Sequence, residues 1–150
     1  MRKGQSAIEY LVILAAVIII ALIVISVIGG FPGMTRGVTE RDSASYWTSA
    51  DIGIVWYFIS ATPGTSVLVI RNNRVVPLNV TSIKFGGTEV FSTPTLLSPA
   101  SSTNITLTNV PSCTPGQSYV LTTVITYKDV TYRTISVLSG EKPLVGTCQP

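Results

Sequence analysis

The sequence predicts an α+β chain: one long N-terminal hydrophobic helix followed by an all-β, immunoglobulin-like sandwich domain. Three observations predict it. Leu11 to Ile25 contains no polar side chain, and Ser26 alone interrupts the run before Val27 and Ile28. From Asp51 onward the apolar residues alternate with polar ones, the period of a half-buried strand. Turn residues then punctuate the chain about every 8–12 residues, the spacing of an antiparallel sandwich.

The helix comes first. From Gln5 to Ile28 it would be roughly 36 Å long at ~1.5 Å per residue, enough to cross a hydrocarbon core of ~30 Å. It is apolar all round, which suits lipid or the centre of a helix bundle rather than a protein surface. Arg2 and Lys3 precede it and place the start of the chain in the cytoplasm, with everything after the helix outside. The exit reads Gly29-Gly30-Phe31-Pro32-Gly33, a helix terminator rather than the small-x-small site of a cleaved secretory signal.

Val38 to Ala50 is polar and Ser-rich and reads as a short helix. Its Tyr46 and Trp47 are expected to pack onto the β-domain, a place at the membrane interface being the alternative. Strands are then expected at Ile52–Ser60, Ser66–Arg71, Val75–Phe85 (broken by Pro77), Thr88–Ser92 and Thr103–Asn109. Tyr119–Tyr127 and Val130–Leu138 form the clearest hairpin, turning at Lys128-Asp129.

Two cysteines, Cys113 and Cys148, lie downstream of the helix. On this topology both are outside, where a disulfide is the expectation and two free thiols the alternative. The bond would tie the Pro143–Pro150 tail back to the domain. Two sequons occur, Asn79-Val80-Thr81 and Asn104-Ile105-Thr106, whereas Asn109-Val110-Pro111 fails the pattern. Asn79 and Asn104 are therefore N-glycosylation candidates.

Composition removes several classes of function. The net charge is +3, but without Arg2 and Lys3 eight basic residues face seven acidic ones, leaving +1. No basic cluster marks a nucleic-acid footprint. There is no histidine, hence no imidazole base, no histidine metal ligand and no Ser-His-Asp arrangement. The acidic residues Glu40, Asp42, Asp51, Glu89, Asp129 and Glu141 are scattered, and Gly86-Gly87 lacks any phosphate-binding pattern around it. No enzyme activity, metal or cofactor is expected.

One residue resists the reading as a plain anchor. Glu9 places a carboxylate at the start of the apolar segment, and an ionised Glu in lipid costs about 2–4 kcal/mol. Near the helix end it can snorkel to the cytoplasmic headgroups. The surrounding residues offer a second account. Arg2-Lys3-Gly4-Gln5-Ser6-Ala7-Ile8-Glu9-Tyr10-Leu11 followed by an apolar helix resembles the class III signal peptide of archaeal type IV pilin-like proteins. Ala7 stands where that family often has Ser.

The resemblance covers about the first thirty residues of the chain. It implies that a membrane-embedded prepilin peptidase cuts between Gly4 and Gln5 and that the helix stays in the mature subunit. Glu9 becomes the fifth mature residue, where the family carries its characteristic Glu. The organisation it implies is a leader (1–4), a membrane and filament-core helix (5–30), a linker with a short helix (31–50) and a β-sandwich outer domain (51–150).

The implied function is a structural pilin subunit of an extracellular adhesive filament, held in the cytoplasmic membrane as a precursor. Its implied partners are further pilin subunits, the prepilin peptidase, an assembly ATPase and a membrane platform. The amine freed at Gln5 is cationic at neutral pH, and Glu9 of one subunit is expected to face the amine of the next. Rival readings are a minor pilin, a non-assembled anchored binding module and, remotely, a tethered enzyme.

Overall fold

The computed structural model describes residues 2–29 and 32–150. Met1 of the expected leader, and Gly30 and Phe31 of the expected helix terminator, lie outside the described residues. Among the described residues the layout is the α+β one that the sequence predicts, with two helices and ten strands. It divides into two compact units, Met1–Val38 and Thr39–Pro150.

The first unit is dominated by α1 (Arg2–Gly29). Every side chain from Gly4 to Val24 is exposed, as an all-round apolar helix must be when neither lipid nor a helix partner covers it. Helix α2 (Pro32–Ser49) begins earlier than the polar composition from Val38 suggests. Pro32 at its first position has the preset φ and needs no amide partner there. Gly33 and Gly37 inside the helix weaken it by about 1 kcal/mol each without breaking it.

The second unit carries the core. Strands β1 (Ile52–Phe58), β2 (Val67–Asn72) and β6 (Ser102–Thr106) form one antiparallel sheet with β2 central. Strands β7 (Ser118–Leu121) and β10 (Leu144–Thr147) form an antiparallel pair. A parallel bridge from Ser60 to Gln149 joins that pair to the end of β1. The other sheet is built on β3 (Leu78–Phe85) and β8 (Thr123–Asp129), with β9 (Ile135–Ser139) beyond β8. Both β4 (Thr88–Phe91) and β5 (Thr95–Leu97) pair with β3. Leu68, Ile70, Ile54 and Ile105 from one sheet and Leu78, Val80, Ile83 and Ile125 from the other belong to a single buried cluster.

The β-bulges in β1 and β3 decide which side chains of those two strands reach that cluster. In β1 the register with β2 shifts between Ile54 and Trp56. Ile52 and Ile54 point inward before the bulge, and Ile59 does so after it, so Trp56 and Phe58 are turned to the outer face. In β3 a shift between Val80 and Ser82 has the mirror effect. It restores Ile83 and Phe85 to the core after Leu78 and Val80, all four fully buried. A bulge inserts one residue and re-aims everything downstream of it.

The expected hairpin differs in detail. Tyr119–Tyr127 is two strands that belong to different sheets. The corner lies at Thr122, whose carbonyl accepts from Gly86 N at 2.8 Å. Inward-facing Tyr119, Leu121, Thr123 and Ile125 keep the alternation unbroken through the corner, so periodicity alone cannot reveal it. The turn after β8 also falls later than Lys128-Asp129. Asp129 closes the strand, and its Oδ1 accepts from Thr131 N (2.8 Å) and Tyr132 N (3.0 Å). Arg133 takes the left-handed backbone conformation at φ 56°.

Trp47 settles against the sandwich, not at an interface with lipid. It is fully buried, its Nε1 donates to the Lys142 carbonyl at 3.1 Å, and Tyr46 meets it edge-on with 5.3 Å between ring centroids. Ser43 Oγ adds a donor to Pro143 O (2.7 Å) and accepts from Val145 N (3.2 Å). The part of α2 from Thr39 onward is thereby fastened to the segment that leads into β10.

Candidate assembly and modification sites

The residues singled out by sequence form three groups. Gly4, Gln5 and Glu9 all lie on α1, exposed. The Gly4–Gln5 bond sits in the first turn, whose amides have no intrahelical acceptor, and a Cβ built on Gly4 would meet nothing within 4 Å. Opening this turn to present the bond costs little, because glycine is also the poorest helix former after proline.

The uncut helix has no acidic residue in its first turn. A cut after Gly4 would move the helix start to Gln5 and bring Glu9 to within about one turn of a cationic end, where carboxylates are favoured. Among the described residues this is the one helix long and apolar enough to cross a membrane.

The second group is the disulfide. Cys113 and Cys148 are bonded, with Cα atoms 5.9 Å apart. Backbone bonds converge around it: Cys148 N donates to Gln117 O (2.8 Å) and Gly116 N donates to Cys148 O (2.9 Å). Gln149 N donates to Ile59 O and Ala61 N to Gln149 O, both at 2.9 Å. The tail that the sequence expects to be tied down is thus strand β10, held by pairing as well as by sulfur.

The two sequons are not equivalent. Asn79 lies on β3 between β5 and β8, opposite Leu96 on one side and Lys128 on the other. It is half-buried, and its Oδ1 is buried without a hydrogen-bond partner. Thr81 of the same sequon donates to Thr126 O at 3.1 Å. Asn104 is exposed on β6, the terminal strand of its sheet, and Thr106 is exposed beside it. Strand periodicity could not separate the two, because the difference is one of position in the sheet.

The outer face of the β1–β2–β6 sheet carries a feature that sequence reading missed. Trp56 is 53% exposed, and its ring lies nearly parallel to that of Phe58, 17° between planes and 6.2 Å between centroids. Beside them runs a groove of about 380 Å³ lined by Glu40, Tyr57, Tyr119, Gly146, Thr147 and Gln149. Burial pushes the Tyr119 phenol well above the ordinary tyrosine range, helped by Tyr57 and by the negative charge of Glu40. Tyr57 is raised by burial and then by Glu40, while its hydroxyl donates to Val145 O at 2.6 Å.

Gly146 is required where these two tyrosines meet, since a Cβ there would run into the Tyr119 ring and approach Tyr57 at 3.1 Å. The cue in the sequence was the Trp56-Tyr57-Phe58 run, but only the bulge decides which of the three face outward.

Among the described residues no three His, Cys, Asp or Glu side chains gather as a metal site. No protein-family model and no curated protein matches the chain.

Proposed function

We propose that the chain is a filament subunit of the type IV pilin kind, cut between Gly4 and Gln5 and assembled through its apolar helix. The observation that carries this reading is α1 itself, apolar on every face, exposed from Gly4 to Val24, and bearing a carboxylate beside a glycine-glutamine junction. In lipid such a helix needs no Glu9. In a bundle of staggered copies, Glu9 and the amine of a neighbouring Gln5 neutralise one another, two charges that are each costly alone. The pair sets axial register more than it adds stability.

The disulfide-bonded Thr39–Pro150 unit forms the outer surface of the filament, which fits a compartment where disulfides persist.

Two measurements test the proposal. Mass spectrometry of protein from native cells should find Gln5 as the first residue, and an intact Met1 terminus would sink the assignment in favour of an anchored module. In cells carrying Glu9→Ala, the precursor should still be cut while filaments fail to form. Normal filaments in that strain would remove the role given to Glu9.

A further inference from the structure

We infer that the outer face of the β1–β2–β6 sheet is a saccharide seat, on which Trp56 and Phe58 hold the sugar carried by Asn104. The register places these groups in two adjacent rows. Trp56 pairs with Val69, and Val69 pairs with Asn104; Phe58 pairs with Val67, and Val67 pairs with Thr106. Residues directly opposite in an antiparallel pair share a face. Both sequon residues and both aromatic rings therefore look outward from the same patch, with two half-buried valines as the floor between them.

At about 4.8 Å per strand the rows span about 10 Å, within reach of the first sugar residues of a chain attached to Asn104. The chemistry fits a sugar better than another apolar surface. A pyranose offers a face of C–H groups to an aromatic ring and directs its hydroxyls sideways. Past the aromatic pair the patch opens into the groove whose rim holds Glu40, Thr147 and Gln149. Thr147 Oγ1 donates to Glu40 Oε1 at 3.5 Å and Gln149 Nε2 to Thr147 O at 3.2 Å, and the further donor and acceptor positions of this carboxylate, hydroxyl and amide suit sugar hydroxyls.

The bulge between Ile54 and Trp56 is what makes the patch. Without it, Trp56 and Phe58 would continue the inward phase of Ile52 and Ile54. The second sequon has no such surroundings, because Asn79 is hemmed between Leu96 and Lys128 in the middle of its sheet. Asn104 is thereby assigned as the modified site and Asn79 as unmodified. The inference rests on the topology of the proposed function only in placing this unit outside the membrane.

The test uses full-length protein from native cells, as wild type and as Asn104→Gln and Thr106→Ala, the latter removing the sequon while keeping the asparagine. Glycopeptide mass spectrometry should find sugar on Asn104 and none on Asn79. Acrylamide quenching then reports on Trp56, because Trp47 is fully buried. The Trp56 ring is already partly covered, and a stacked sugar takes up much of what is left open, so loss of the sequon should raise the quenching constant about twofold or more in both variants.

Bare Asn104 in protein that starts at Gln5 would overturn the inference and leave the filament reading intact. Sugar on Asn104 in protein that starts at Met1 would support the inference and end the filament reading. A modified Asn104 with no change in quenching on its removal would overturn the seat. So would protection of Trp56 in the Thr106→Ala protein that vanishes when filaments are dispersed, since a second copy would then be the occupant. Protection of that variant by added free oligosaccharide, with wild-type Asn104 bare, would overturn it in favour of a foreign sugar.

Discussion

Gly140 and Trp47 offer the sharpest test of how α2 is joined to the sandwich. A Cβ added at Gly140 would overlap the Trp47 ring, coming within 2.6 Å of Cη2 and 3.1 Å of the Lys142 carbonyl. The obstacle is a fully buried indole held by its Nε1 bond to Lys142, not the free end of a flexible side chain. Gly140→Ala should therefore cost toward the upper end of the overpacking range, about 3 kcal/mol. Trp47→Leu removes ring volume and the Nε1 donor, for a loss of about 3 kcal/mol or more.

In the double variant the smaller side chain makes room for the methyl group, and part of the Gly140 penalty disappears. The predicted coupling is about 1–3 kcal/mol in the stabilising direction. Urea unfolding of the four proteins, followed by far-ultraviolet circular dichroism, measures it. Penalties that add to within about 0.5 kcal/mol would refute the contact.

Three further outcomes are expected. Replacing Cys113 and Cys148 by Ser frees a loop of sequence separation 35 and should lower stability by about 4 kcal/mol in the chain-entropy account; guanidinium unfolding with and without reductant should give matching losses. Asn72 is fully buried and uses its side chain three times, to Val76 O (2.8 Å), to Leu97 O (3.0 Å) and from Arg74 N (2.8 Å). Asn72→Ala should cost about 3 kcal/mol, and Asn72→Asp more at neutral pH, because an oxygen would replace the donor facing two carbonyls. Melting temperature should fall as pH rises above about 10, because Tyr57, Tyr119 and Tyr127 have raised folded values, each with burial as the largest cause. Their stabilisation is complete below the unfolded value and is lost as pH climbs toward the folded ones; phenolate absorbance during the titration should show part of the tyrosine signal appearing only with unfolding.

Much of the architecture was legible because it depends on local pattern. The apolar run to Ile28 and the Gly86-Gly87 turn, with both glycines at positive φ, follow from composition and backbone sterics alone. The bonding of Cys113 to Cys148 agrees with the reading of two cysteines beyond an apolar helix.

What escaped depends on parity and on sheet identity. A bulge changes which residues face inward without changing residue types, so the outward turn of Trp56 and Phe58 has no sequence signature. The corner at Thr122 leaves alternation intact while the strand changes sheets. β5 (Thr95–Leu97) is too short to show a period at all, and β10 was read only as a tail because Gly146 interrupts its apolar character.

The proposed placement of the chain follows from where its apolar surface lies. The Thr39–Pro150 unit has a buried core of its own. The apolar side chains of α1, exposed from Gly4 to Val24, are a separate surface that needs cover. In a bilayer, lipid tails and neighbouring helices are about equally apolar, so exchanging one for the other gains little hydrophobic free energy, and helix association depends on packing and polar contacts instead. An Ile-, Leu- and Val-rich surface with no small-residue seam supplies packing without marked preference for one axial offset. A single charge in a fixed position does supply that preference, and Glu9 is the acidic residue that α1 has. In the proposed filament, the energetic penalty that makes Glu9 awkward in an isolated membrane helix would fall on misregistered neighbours, since every offset but the paired one would leave the carboxylate without its amine.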